Sequence, residues 1–193
     1  MTPDGDFPRT LAMTDQPASV YDLAHKEQEE SRATFAVLVD NEPGVLHRVV
    51  GLFAARGYNI DSLTVAETDG NSHTSRITIV TRGTLQVLGQ IEAQLQKMVS
   101  TRHVQDVTRD PNGIERELAL VKVRGSGTER VEALRVSDIF RAKVVDTTHE
   151  SFVFELTGAS SKIDKYVDLM RGLGLVEVSR TGVLSLQRGV DSF

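Results

Sequence analysis

Cysteine and tryptophan are both missing from the 193 residues, and only 5% of the chain is aromatic. Without a thiol there is no disulfide, no Cys-ligated zinc or iron–sulfur cluster, and no thiol nucleophile. The same lack fits a reducing compartment, and the expectation is a cytoplasmic protein. No run of about 18 apolar residues occurs, so no segment reads as a membrane span. Met1 to Ser31 has neither a basic head nor an apolar stretch and does not read as a signal peptide. A basic excess is missing too: 22 Lys and Arg stand against 27 Asp and Glu, a net charge of −5. Residues 1–33 hold −4 of that charge, residues 34–110 hold −1, and residues 115–193 balance. Neither later stretch has the cationic surplus that phosphate backbones select for, so nucleic acid is not an expected partner.

Catalytic motifs are equally scarce. The five histidines (His25, His47, His73, His103 and His149) are scattered, with no spacing that suggests a metal. There is no G-x-S-x-G, no P-loop and no G-x-G-x-x-G. Gly125-Ser126-Gly127 lacks the Gly-Lys of a phosphate loop and reads as a plain turn. No catalytic residue, metal or cofactor is expected in this chain.

What the chain does have is pattern. Residues 1–33 contain three prolines and no sustained apolar periodicity. They read as a disordered acidic tail with a short helix near Val20–Glu30. From Thr34, the alternation of Phe35, Val37 and Val39 predicts a strand. Asp40-Asn41-Glu42-Pro43-Gly44 breaks it and opens a helix with Leu46, Val49, Val50 and Phe53 on its apolar face, stopped by Gly57. Asn59–Glu67 reads as a strand, Thr68-Asp69-Gly70-Asn71 as a hairpin turn and His73–Thr81 as the returning strand. Leu85, Leu88, Ile91, Leu95 and Met98 recur at helical spacing. Arg102–Thr108 then closes the unit before a linker at Asp110–Gly113.

The order repeats from there. Strand Glu117–Arg124 leads through Gly125–Thr128 to a helix ending near Phe140, then to a hairpin of Lys143–Thr147 with Phe152–Thr157. A helix capped by Ser160 or Ser161 follows, and Leu175–Ser179 with Val183–Leu186 finishes as strand. The fold class is α+β: two consecutive βαββαβ, ferredoxin-like domains with antiparallel sheets, over residues 34–110 and 115–190, preceded by the tail. Each sheet is expected to carry helices on one face and leave the other uncovered. Val37, Leu63, Ile77 and Ile79 read as apolar surface to spare on that second face. A unit of this size buries little core alone, so a homodimer is expected.

Two loops invite a ligand. Asn41 and Gly44 stand at a strand-to-helix junction, where unpaired N–H groups and the helix dipole suit a carboxylate. Gly44 allows close approach to the backbone, and an Asn amide both donates and accepts, as the two ends of a small amino acid require. The simpler reading is that Asn41 caps the helix with Pro43 in its first turn, and the two stay open side by side. Asn59 begins the second strand and alone reads as a turn residue. In a βαββαβ sheet that position can lie against a neighbouring copy near its first loop.

The string Asn41-Glu42-Pro43-Gly44-Val45-Leu46-His47-Arg48-Val49-Val50-Gly51-Leu52-Phe53, followed by Arg56-Gly57-Tyr58-Asn59-Ile60-Asp61-Ser62-Leu63-Thr64-Val65-Ala66, closely resembles the regulatory small subunits of acetohydroxyacid (acetolactate) synthase. Its opening alone resembles ACT domains, a broad class of amino-acid sensors; the longer string narrows the resemblance. Glu115–Val123 and Gly182–Gly189 resemble the C-terminal domain of the same family, so the tail alone is left uncovered.

The resemblance implies a non-catalytic partner. The family's catalytic large subunit holds thiamine diphosphate, a divalent metal such as Mg and FAD, while the small subunit raises its activity and confers feedback inhibition, usually by valine. It also implies a valine site between two ACT domains. Asn41 and Gly44 would contact the amino acid from one chain and Asn59 with Ile60 from the other, with Val45 and Leu46 as weaker members. The runner-up is a stand-alone ACT-type sensor regulating another enzyme. An RNA-binding module shares the element order, but His73–Thr81 contains no aromatic for a base to stack on.

Overall fold

The computed structural model describes residues 29–68 and 73–189. Most of the expected tail, including its helix up to residue 28, and the Asp69–Asn71 part of the expected turn lie outside the described residues. The first unit comprises β1 (Ser31–Asp40), α1 (Val45–Arg56), β2 (Ser62–Glu67), β3 (Thr74–Gly83), α2 (Leu85–Gln96) and β4 (Thr101–Asp106). Its antiparallel sheet has the order β2-β3-β1-β4. β1 starts earlier than its apolar alternation suggests, because Ser31, Arg32 and Ala33 pair with Gly83, Arg82 and Thr81. Backbone pairing needs no apolar side chain, so the pattern could not reveal it.

Register decides which residues form the core. Phe35 pairs with Ile79 and Val37 with Ile77, and Leu63 and Val65 of β2 pair with the same two isoleucines. Apart from Val65, which stays exposed, these side chains pack with Val49 and Phe53 of α1 and with Leu88, Ile91 and Leu95 of α2. Each fully buried side chain of this kind contributes about 1.5–3 kcal/mol. Val37, Leu63, Ile77 and Ile79 therefore face the helices, which corrects their assignment to a second, spare apolar face. That second face carries Thr34, Ala36, Thr78 and Val80 instead, and all four are buried.

The second unit comprises β5 (Gly113–Arg124), α3 (Gly127–Phe140), β6 (Lys143–Thr147), β7 (Ser151–Gly158), α4 (Ser160–Arg171) and β8 (Leu175–Arg180), with sheet order β6-β7-β5-β8. Ala119, Val121 and Val123 of β5 meet Phe152, Phe154 and Leu156 of β7 and Ile163, Tyr166 and Met170 of α4. The Tyr166 hydroxyl, inside that core, hydrogen-bonds Ser137 at 2.8 Å, and burial pushes its pKa up to about 12 against the lowering effect of that bond. The expected Ser160 or Ser161 cap is absent: Ala159 holds the N-cap position, and the Ser160 hydroxyl instead donates to Glu117.

The last described strand, β9 (Leu184–Gln187), lies off the main path of the second sheet and joins it through β5 alone. Among the described residues it pairs with Gly113–Arg116, the first residues of β5. The segment Val183–Ser185 reaches the helix-free face of the first sheet. Thr64 donates to the Val183 carbonyl at 2.7 Å, the Val183 N–H donates to Ser62 Oγ at 3.2 Å, and Arg76 donates to the Ser185 carbonyl at 2.9 Å. Val183 and Ser185 are themselves buried. The first sheet's second face is contacted by the Val183–Ser185 segment, contrary to the expectation that it lies open.

Candidate functional site

The loop from Asn41 to Gly44 is fully exposed at the end of β1. The Asn41 N–H donates to the His73 carbonyl at 2.7 Å, which ties the loop to the start of β3. Its side-chain Nδ2 donates to Glu67 Oε1 at 2.5 Å, so Asn41 does not cap α1. Gly44 holds the N-cap position at φ 85°, in the left-handed region, and no side chain accepts from the first turn. The Leu46 and His47 amides are thus left facing outward at the positive end of the helix dipole. Glu42 and Arg48 form an ion pair beside them. Val45 turns into the core, whereas Leu46 is 39% exposed.

Asn59 and Ile60 occupy a different place. Gly57, at φ 68°, stops α1, with its N–H bonded to the Ala54 carbonyl and that of Tyr58 to Phe53. The exposed Asn59 donates through Nδ2 to Asp61 Oδ1 at 2.8 Å, and its carbonyl accepts from Thr81 Oγ1 at 2.6 Å. Ile60 is half-buried and packs against the first core. Asp61 in turn pairs with Arg82 at 2.9 Å. One group therefore stands beside His73, just before β3, and the other at Thr81 toward its far end, about 26 Å apart at the ordinary strand rise. Within a single chain the structure brings Asn41, Gly44, Val45 and Leu46 together, and Asn59 with Ile60, but not the two groups with each other.

β2 connects the two ends and, among the described residues, is a sheet edge bonded to β3 on one side only. Its residues are half-buried at Ser62–Thr64 and exposed at Val65–Glu67.

A second cluster was not anticipated from the sequence. Between the units lies a cleft of about 660 Å³ bordered by Arg32, Asp61, Glu115, Glu117, Asp164 and Arg180. Glu117, 5% exposed, accepts from Arg180 Nε and Nη2, both at 2.7 Å, and from Ser160 at 2.9 Å. Arg180 also reaches Asp164 at 2.7 Å. Burial alone would raise the Glu117 carboxyl, but the hydrogen bonds from Arg180 and Ser160 outweigh it and hold its pKa below the ordinary value. The same hydrogen bond raises the Arg180 guanidinium above its own. Arg32 bridges the units by pairing with Glu115 at 3.0 Å. All of these cations are paired with carboxylates, so the cluster joins elements and offers no free charge to an anion. One sequence signal did exist for the contact between units: the hydroxyls Ser62, Thr64 and Thr78 sit where β2 and β3 alternate away from their apolar positions.

Among the described residues, no group of three or more His, Asp or Glu side chains is placed to hold a metal ion, and no helix is long and apolar enough to cross a membrane.

Known proteins resemble both units. Residues 35–103 match the family described as the AHAS small subunit-like ACT domain, and residues 116–189 match that described as the small subunit of acetolactate synthase. A probable acetolactate synthase small subunit from Archaeoglobus fulgidus is 44% identical over 156 residues, spanning 81% of this chain and 96% of that one. The isozyme 3 small subunit of Escherichia coli acetolactate synthase is 45% identical over 159 residues, spanning 82% and 96%. The crystal structure of an acetolactate synthase small subunit from Thermotoga maritima superposes with a TM-score of 0.73 at 36% identity, covering 83% of this chain and 99% of that one.

Proposed function

The chain belongs to the acetolactate synthase small-subunit family, and from that membership we propose that it is the regulatory subunit of an acetohydroxyacid synthase. It activates a catalytic large subunit and makes that subunit inhibitable by valine. The carbon–carbon chemistry belongs to the large subunit, which carries the thiamine diphosphate, Mg and FAD.

The observation that supports the valine site is the unpaired edge of β2 between two asparagine-bearing loops. A second copy added antiparallel at that edge, about a two-fold axis, sets the Glu67 end of one β2 against the Ser62 end of the other. Asn41, bonded to Glu67, then approaches Asn59 and Ile60 of the second copy. The site is complete only in the dimer, and each dimer has two.

The chemistry of the loops suits a small apolar amino acid. The free first-turn amides of Leu46 and His47 receive the carboxylate at the N-terminus of α1. Gly44, with no Cβ, lets the ligand reach them. The carbonyl oxygens of the Asn41 and Asn59 side chains accept from the ammonium group. Leu46 and Ile60 supply apolar wall for the branched side chain, and Val45 holds the turn against the core.

Calorimetric titration with valine tests this reading directly. Saturable binding to the dimer, lost in Asn41→Ala, supports it; no binding of valine, leucine or isoleucine overturns it.

A further inference from the structure

We propose that the segment Thr181–Gln187 is the link through which the second unit senses occupancy of the amino-acid site. This rests on the valine reading above and adds the route by which that site acts at a distance.

β2 serves two neighbours at once. Asn59 and Ile60 lie immediately before it, and its unpaired edge is where a second copy adds. Its Ser62 and Thr64 side chains, on the helix-free face, hold the backbone of Val183 at 3.2 and 2.7 Å. Gly182 fits tightly there. It sits at φ 82°, and a Cβ on it would stand 2.5 Å from Ser62 Oγ and 3.2 Å from Thr64 Cγ2. A shift of β2 therefore cannot occur without moving the segment or breaking these contacts.

The other end of the segment is bound to the second unit. Arg180, just before it, is clamped by Glu117 and Asp164. The Thr181 N–H donates to the Leu118 carbonyl at 3.0 Å, and Thr181 Oγ1 accepts from the Leu118 N–H at 3.1 Å. β9 then pairs with the start of β5, which continues as a central strand of the second sheet. The chain of contacts runs from β2 through Gly182 and Val183 to β5, and through Arg180 and Glu117 to Ser160 at the start of α4.

Contact strength and space both suit a link that can change state. At β2 it consists of two hydroxyl–backbone hydrogen bonds, each of modest net value in exchange with water. The cleft of about 660 Å³ beside it, bordered by Ser62, Leu63, Gly182 and Val183, leaves room for a second arrangement. A ligand that prefers one arrangement of β2 biases the second unit by its differential affinity.

The test uses the full chain reconstituted with its catalytic subunit. Variants are Ser62→Ala with Thr64→Val, which removes the two hydroxyls, Gly182→Ala, which wedges the contact, and Thr64→Ser, which keeps a hydroxyl. Valine binding to the regulatory chain is measured by calorimetry, and acetolactate formation with and without valine is measured in the complex. The proposal expects the double variant to bind valine within about twofold of the parent and to activate normally. Its half-inhibitory valine concentration rises by about 5-fold or more, the lower end of ordinary coupling, while Thr64→Ser stays near the parent.

Inhibition of the double variant at the parent's valine concentration overturns the link. So does loss of valine binding in that variant while it remains folded, since the hydroxyls would then belong to the pocket. Where Gly182→Ala does not fold, the hydroxyl deletions decide. A parent chain that binds no valine defeats the site itself, a result distinct from binding that stays coupled in the variants.

Discussion

Asn41 is tied to the His73 end of β3 and Asn59 to its Thr81 end, so the two asparagines sit at opposite ends of one strand in the same chain. No molecule the size of an amino acid spans that distance. The proposed site accordingly requires two chains, and a mixing experiment exposes the requirement. Asn41→Ala and Asn59→Ala homodimers each lack every complete site. Co-refolding them in equal amounts yields mixed dimers with one intact site of two, so about a quarter of the parent's valine sites should return. A site within one chain would give none.

Gly44 carries the sharpest steric prediction. Its φ of 85° penalises any L side chain by about 1–2 kcal/mol. An Asp there adds a negative charge beside the amides proposed to receive the valine carboxylate. Gly44→Asp should weaken valine binding by at least about tenfold, or 1.4 kcal/mol, while activation of the catalytic subunit is retained. Calorimetry and the activity ratio without valine check the two halves separately.

The edge of β2 predicts the oligomeric state. Val65 is 45% exposed on that strand within a single chain. Sedimentation should find a dimer for the parent at micromolar concentration. Val65→Asp should shift it toward monomer, weakening association by about tenfold or more, as loss of a central apolar contact does. A parent chain that stays monomeric contradicts the dimer and the site built on it.

Glu117 and Arg180 predict an acid-sensitive joint. Because the folded pKa of Glu117 is depressed, its stabilisation is fully present above the ordinary carboxylate pKa and is lost as pH falls through the folded value. Glu117→Gln should cost about 2–3 kcal/mol near pH 7, somewhat less than a fully buried pair because Arg180 is partly exposed. It should also flatten the decline in stability below about pH 4. Urea unfolding at pH 7 and pH 3 measures both effects; equal pH slopes in parent and variant would contradict the assignment.

The elements were legible because their signals are local. Phe35, Val37 and Val39 alternate, Leu88, Ile91 and Leu95 recur at helical spacing, and Gly57 stops a helix as its type suggests. Face assignment was not legible, since it depends on register and packing: the pairing of Val37 with Ile77 puts both on one face, and their contacts with α1 and α2 make it the helix face. Val183–Leu186 likewise reads as a strand, but its place on the first sheet is set by contacts more than 100 residues away in sequence, such as Thr64 with Val183. The loop residues were legible by type and resemblance. That Asn41 bonds Glu67 and leaves the first turn of α1 uncapped depends on the approach of β2 to the loop, which no local pattern carries.

The most direct test of the regulatory role adds this chain to its catalytic subunit and follows acetolactate formation at increasing valine. The account predicts that the chain raises the rate and that valine then lowers it, with Asn41→Ala keeping the first effect and losing the second. A rate unchanged by the chain and indifferent to valine would contradict it.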